Sequence, residues 1–193
     1  MQMQSSRSLV SLTKQCRVIP VVESRTQFAQ VLENSHARAV LLRHCNLFDF
    51  AAVLQNVYRR GYAVYVSIDH IDGIHADAAG LQYLAEHLHI TGIVSNHPKT
   101  LSLGKQYGLE TIQRLFAVDS TGLESALESV DPHTIDLLDI SPALVIPYIT
   151  LHLKMVLPLP FIGSGLISTS EQVQAVLRAG AIGVAAIRPE LWL

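Results

Sequence analysis

The sequence predicts one small α/β domain, a (β/α)8 barrel of the TIM type. Three observations point there. Eight short, β-branched apolar runs alternate with segments of helical period along the whole chain, the pattern of a parallel sheet with crossover helices. Most runs are continuously apolar rather than alternating, as strands covered on both faces should be. No linker, composition shift or low-complexity segment divides the 193 residues, a length that suits a single core. An open, doubly wound sheet also fits the alternation. Eight units without a long insertion favour closure, although roughly 24 residues per unit is lean where about 250 in total is typical.

The elements follow in order. Residues 1–16 read as a frayed tail: Met1 to Gln15 is polar with scattered charge and lacks the apolar stretch of a signal peptide. The barrel is expected over 17–193. Strands are expected at Arg17–Val22, Ala39–Arg43, Ala63–Asp69, Gly92–Ser95, Thr111–Phe116, Ile135–Ile140, Leu159–Gly163 and Ile182–Ile187. Between them, Phe28, Val31 and Leu32 share a helix face, as do Phe50, Val53, Leu54 and Val57. Leu81, Leu84, Ala85 and Leu88 repeat the same spacing, as do Leu123, Ala126, Leu127 and Val130. Val173, Val176 and Leu177 form the last face, and Gly180 ends that helix. Ser24 to Gln27 and Ser168 to Glu171 fit the capping-box spacing, and Gly61 stops the second helix. Pro142 and Pro147 leave the sixth connection only a short helix, starting near Pro147.

Composition excludes some functions. Hydrophobic residues make up 49% and mean hydropathy is +0.31, yet no apolar run approaches the roughly 18 residues of a membrane span. The longest, Leu153 to Ile167, is broken by Lys154, two prolines and Gly163-Ser164-Gly165. With no export signal the expected compartment is the cytoplasm. Cys16 and Cys45 read as buried thiols rather than a disulfide. A net charge of −2, with Arg59-Arg60 the densest basic group, excludes a broadly basic nucleic-acid binder.

Barrels bind ligands at the C-terminal ends of their strands. After the seventh run, Gly163, Ser164, Gly165 and Leu166 form a loop whose glycines let backbone approach an anion, and the next helix offers free N–H groups. At the end of the eighth run Ala186 and Arg188 complete an expected phosphate site, with Arg188 as its cation. After the third run, Asp69, His70, Asp72, His75 and Asp77 carry oxygen and imidazole ligands suited to a divalent ion. Their spacing matches no metal motif, so a ligand-facing Asp69, a turn at Asp72-Gly73 and a helix N-cap are expected instead. Gln113 and Arg114 point to opposite sides of the fifth strand. The interior one pairs with Asp69 or Asp139, or it touches the ligand. Ser95 and Asp139 end strands four and six at the same mouth and are candidate polyol contacts: Asp139 is expected either to accept hydrogen bonds from ligand hydroxyls or to cap the next turn. No cofactor and no bound metal are called for.

The blocks SIDHIDGI (67–74), GIVS (92–95), TIQRLFAVD (111–119), PFIGSGLI (160–167) and AGAIGV (179–184), with Leu191-Trp192, resemble the glycerol-3-phosphate-responsive antiterminator family from about Pro20 to Trp192. The resemblance implies a barrel that senses glycerol 3-phosphate and binds a leader mRNA, favouring read-through ahead of glycerol-use genes. Asp69, Gly73, Ser95, Gln113, Arg114, Gly163, Gly165 and Leu166 match its motif, and the resemblance implies that Gly163 to Leu166 and the end of strand eight hold the phosphate. The chain departs from the family at Ser164, where a glycine is usual. It departs also at Asp139 to Pro142, where Leu-Pro-Gly is more common, at Asn96-His97, and at Ala185-Ala186, where hydroxyl residues are typical. The alternative reading is an isomerase or lyase for a phosphorylated triose or polyol, with Asp69, Asp139 and His44 as acid–base groups. A barrel this small and apolar is also a candidate homodimer.

Overall fold

The computed structural model describes residues 8–156 and 159–192. Eight parallel strands close into a barrel in the order β1-β10-β9-β8-β7-β6-β4-β2. They are β1 (Val18–Val22), β2 (Ala39–Leu42), β4 (Ala63–Ser67), β6 (Gly92–Ser95), β7 (Glu110–Phe116), β8 (Leu137–Ser141), β9 (Phe161–Ser164) and β10 (Gly183–Ala186). All eight expected runs are strands. Two short strands, β3 (Cys45–Asn46) and β5 (Ile71–Asp72), pair with each other above the mouth. The helices are α1 (Leu9–Leu12), α2 (Arg25–Asn34), α3 (Leu47–Arg59), α4 (Ala78–Gln82), α5 (Pro98–Gln106), α6 (Ser120–Glu128), α7 (Ile146–Val156) and α8 (Ser170–Arg178).

The period-two alternation of a strand divides the apolar residues into two cores. Ile19, Val21, Leu41, Tyr65, Val94, Ile112, Leu137, Ile162 and Ala185 point inward and fill the barrel. Val40, Leu42, Val64, Val66, Ile93, Leu115, Leu138, Ile140 and Val184 point outward, under the helices. Both faces are buried, which is why the runs show no polar alternation.

Three details differ from the sequence reading. The tail is shorter than expected. From Leu9 the chain is helical, and Leu9, only 1% exposed, joins the inner core at the N-terminal end of the barrel. Residues 1–7 lie outside the described ones. Glu110, at the start of β7, caps α1 by accepting the Leu9 N–H at 3.2 and 3.0 Å, and Tyr65 donates to the same carboxylate. The last capping box forms one residue later than expected, at Thr169 and Gln172, because that pair has the same spacing. The sixth connection is a 3-10 turn at Ala143–Val145 running into α7, which starts at Ile146 as the prolines suggest but spans 11 residues.

Gly163 lies on the outer face of β9. A Cβ there would meet Ile146 Cδ1 at 2.7 Å, the Ala143 Cβ at 2.9 Å and Val176 Cγ1 at 3.0 Å. The residue exists so that α7 and α8 can close on the sheet. Gly163→Ala is expected to cost about 1–3 kcal/mol by overpacking, read as a lower urea midpoint at unchanged m-value.

Burial raises the Glu110 carboxyl above its ordinary 4.5. A raised carboxyl binds its proton more tightly when folded, so its contribution to stability is full below 4.5 and is lost as pH rises through the folded value. Glu110→Gln keeps an acceptor for the Leu9 N–H. Stability curves should therefore lose this downward slope above pH 4.5 in the variant, with no loss of stability at pH 7.

Candidate functional site

A cavity of about 100 Å³ opens among the C-terminal ends of β1, β2, β7, β9 and β10. It is smaller than the roughly 300–1,000 Å³ of drug-sized sites, so it suits a ligand of a few heavy atoms. Val21, Leu41 and Ala185 supply apolar wall, the Ser164–Ile167 loop one side, and Arg43 and Arg114 the charge.

Arg114 points inward because it shares the face of Ile112 on β7. It is 7% exposed, and its cross-strand neighbour on β8, Asp139, is fully buried. The Arg114 Nε and Nη2 both donate to Asp139 Oδ2 at 2.8 Å, and Nη1 donates to Ser67 Oγ at 3.3 Å. The pair answers the cost of placing a charge inside a parallel barrel. A guanidinium has five N–H groups. These contacts commit three and leave two, one on each Nη atom.

Ser67 Oγ lies 3.1 Å from His70 Nδ1, and the His70 ring meets His44 edge-on, 4.8 Å between centroids. Desolvation, then His44 and Arg114, lower the His70 pKa below 6.5, so the ring is neutral at pH 7. Glu23 accepts from Arg43 Nε and Nη2 at 2.7 Å and lies 3.9 Å from His44 Nε2. The two arginines thus stand at the ends of one polar chain around the mouth.

Gly165 and Leu166 both have positive φ, +80° and +59°. A leucine in that region carries strain that the surrounding structure must offset. Among the described residues, no backbone carbonyl outside the regular elements accepts from the Leu166 or Ile167 N–H.

The structure sorts the expected site residues. Ser164, Gly165, Leu166, Ala186 and Arg114 line the cavity. Gly163 does not, for the packing reason given above. Arg188 is exposed and is not among the lining residues, which on this strand and its extension end at Ile187; the second arginine of the wall is Arg43. The α8 N-terminus is also occupied: Gln172 accepts from the Ser168 and Thr169 N–H groups, and Thr169 from the Gln172 N–H. Gln113 faces outward, where it donates to Ser129 Oγ at 2.9 Å. Asp69 is exposed at the rim and does not face the cavity. It accepts from Ser95 Oγ and the Asn96 N–H, at 2.8 and 3.0 Å, so Asp69 and Ser95 hold two loops together. Asp77 caps α4 through the Gly80 N–H, and Gly73 takes the turn conformation, φ +86°. Among the described residues no group of three or more His, Cys, Asp or Glu side chains could hold a metal ion.

Sequence reasoning missed Arg43. Its signal was two-residue spacing from Leu41 and Ala39, which places it on the inner face of β2. The thiols are free, and burial pushes Cys45 up to about 11, far from a reactive thiolate. A larger cleft of about 610 Å³ lies at the opposite, N-terminal end of the barrel, beside Glu110 and a Lys105–Asp136 ion pair. Barrel ligand sites sit at the other face.

The family model described as Glycerol-3-phosphate responsive antiterminator matches residues 18–192. No curated protein matches the chain. The fold is similar to that of the glycerol uptake operon antiterminator regulatory protein of Listeria monocytogenes, at 23% identity and TM-score 0.82, covering 92% of this chain and 95% of that one. It is similar also to a glycerol uptake operon antiterminator-related protein of Thermotoga maritima, at 20% identity and TM-score 0.80, covering 92% and 98%. Deoxyribose phosphate aldolase of Aeropyrum pernix, at 14% identity and TM-score 0.69, covering 99% and 94%, shares the barrel.

Removing one partner of the buried pair should be costly. Asp139→Ala is expected to lose about 3–5 kcal/mol, whereas the apolar double replacement Arg114→Met with Asp139→Leu should lose much less. Urea unfolding of the three proteins measures both.

Proposed function

The chain belongs to the glycerol-3-phosphate-responsive antiterminator family, and from that premise we propose that it senses glycerol 3-phosphate and, in response, binds a leader mRNA to favour read-through ahead of glycerol-use genes. The observation that carries the ligand reading is the cavity itself. It joins a strained loop with backbone donors to Arg114, which is fixed by Asp139 with two N–H groups to spare. Arg43 adds a second positive charge at the rim. Charge-assisted donors of this kind favour a phosphate, and the volume favours a short one. The protein acts in the cytoplasm.

With a net charge of −2, RNA contact rests on a local surface and not on a general basic field. Phosphate contacts give affinity a steep salt dependence, so retention of the leader RNA is expected to be strongest at low salt. The barrel-enzyme reading gains nothing from the site: Asp69 holds Ser95 and the Asn96 N–H, and neither it nor His44 lines the cavity. Likeness to an aldolase is likeness of fold.

Thermal unfolding with millimolar glycerol 3-phosphate, glycerol or inorganic phosphate tests the proposal. A ligand at 100 times its Kd adds about 2.7 kcal/mol. Glycerol 3-phosphate should raise Tm more than phosphate, with no shift from glycerol, and gel retention of leader RNA should then change on adding it. An unchanged Tm with all three would overturn the sensor reading. A ligand shift without RNA retention at low salt would overturn the antiterminator role.

A further inference from the structure

Among the described residues Asp139 is the one fully buried carboxylate, and half of it is unused. Arg114 approaches a single oxygen, Oδ2, with both of its near nitrogens. The other oxygen, Oδ1, is shut off from solvent and finds no hydrogen-bond partner among the described residues. The side-by-side geometry, in which each nitrogen meets its own oxygen, would have satisfied both. A buried anionic oxygen without a donor is among the costlier unsatisfied groups, so the barrel holds an acceptor waiting for an O–H or N–H.

The position of that acceptor limits the donor. Asp139 shares the inward face of Leu137 and pairs across the strands with Arg114 on one side and Ile162 on the other. Ser164, two residues beyond Ile162 on the same inward face of β9, lines the cavity together with Arg114. The carboxylate therefore lies one layer below the cavity, beneath the guanidinium. Of the three contacts that hold that guanidinium, the one to Ser67 Oγ is the longest, at 3.3 Å against 2.8 Å for the two to Asp139. Releasing it lets Arg114 tilt without leaving Asp139.

We propose that Asp139 is a specificity-determining residue: its Oδ1 accepts a hydrogen bond from a hydroxyl of the ligand, so the site selects short monophosphates that carry a free hydroxyl over phosphates that do not. This rests on the phosphate reading of the cavity above. The phosphate lies on the Ser164–Ile167 loop, and the carbon chain hangs toward the barrel axis between Val21, Leu41 and Ala185. A hydroxyl there replaces the Ser67 contact and gives Oδ1 the donor it lacks.

The experiment compares glycerol 3-phosphate, n-propyl phosphate and inorganic phosphate by titration calorimetry on the unaltered protein. Propyl phosphate keeps the length and charge and removes the hydroxyls. The expected result is binding of all three, with glycerol 3-phosphate at least tenfold tighter than propyl phosphate. In Asp139→Asn, which keeps the volume, that ratio should fall several-fold toward one. If propyl phosphate binds the unaltered protein as tightly as glycerol 3-phosphate, the phosphate site stands and the role of Asp139 is overturned. An undiminished ratio in Asp139→Asn overturns it as well. Failure of all three to bind removes the phosphate reading and this inference with it. The ligand series needs no variant, so a poorly folding Asp139→Asn would not spare the proposal.

Discussion

A guanidinium inside a closed parallel barrel is the constraint around which the mouth is arranged. Arg114 sits on the inner face of β7 because strand alternation puts it there, two residues from Ile112. It is almost entirely buried, so most of its charge has to be met by protein. Asp139 on the neighbouring strand meets it, and Ser67 takes one further N–H. From Ser67 the polar contacts run through His70 and His44 to Glu23 and Arg43. The result is a ring of fixed donors and acceptors around a cavity whose deeper walls are aliphatic. Such preorganisation lets a small site bind a charged ligand without first ordering flexible side chains.

The strands above that layer end in loops with separate duties. On β9, Gly163 serves packing and Gly165 serves the turn: the first lacks a Cβ so that Ile146, Ala143 and Val176 can close on the sheet, and the second adopts φ +80°. The loops after β4 and β6 are tied together by Asp69, and those after β2 and β4 by the small β3–β5 sheet. At the other end, Leu9 and its Glu110 cap close the barrel bottom. One end is thus a plug and the other a set of anchored loops, in keeping with the usual division of barrels into a stability face and a functional face.

The family assignment and the geometry bear on different matters. Structures at 20–23% identity establish the barrel. The match across residues 18–192 establishes the family. Neither says how this chain holds its ligand. Ser164 in place of a glycine retains a buried inward position beside Arg114, while Ala185 and Ala186 make the β10 side of the cavity apolar. The charged side chains of the cavity wall are Arg43 and Arg114.

The fold was legible because it depends on local pattern. Eight buried strands each need a continuous apolar run, and each intervening helix needs one apolar face; both leave a period in the sequence. Helix stops at Gly61 and Gly180 and the Asp77 cap were equally local. The alternation of Gln113 and Arg114 predicted that one of them would point inward, but not which. That choice follows from the register of β7 against β8, and it decided which of the two lies in the site and which donates to Ser129. Asp69 looked like a ligand group from its place after a strand, yet only the packed neighbour, Ser95, shows that it ties loops. Arg43 went unnoticed because its spacing from Leu41 does not by itself say that it reaches the same cavity as Arg114. Periodicity is a property of the chain, so the sequence determined the barrel, its eight strands and the mouth at which to look. Closure brings together side chains from strands distant in sequence, so only the tertiary structure decided which charges meet and which buried oxygens, Asp139 Oδ1 and Gln113 Oε1, were left without a donor.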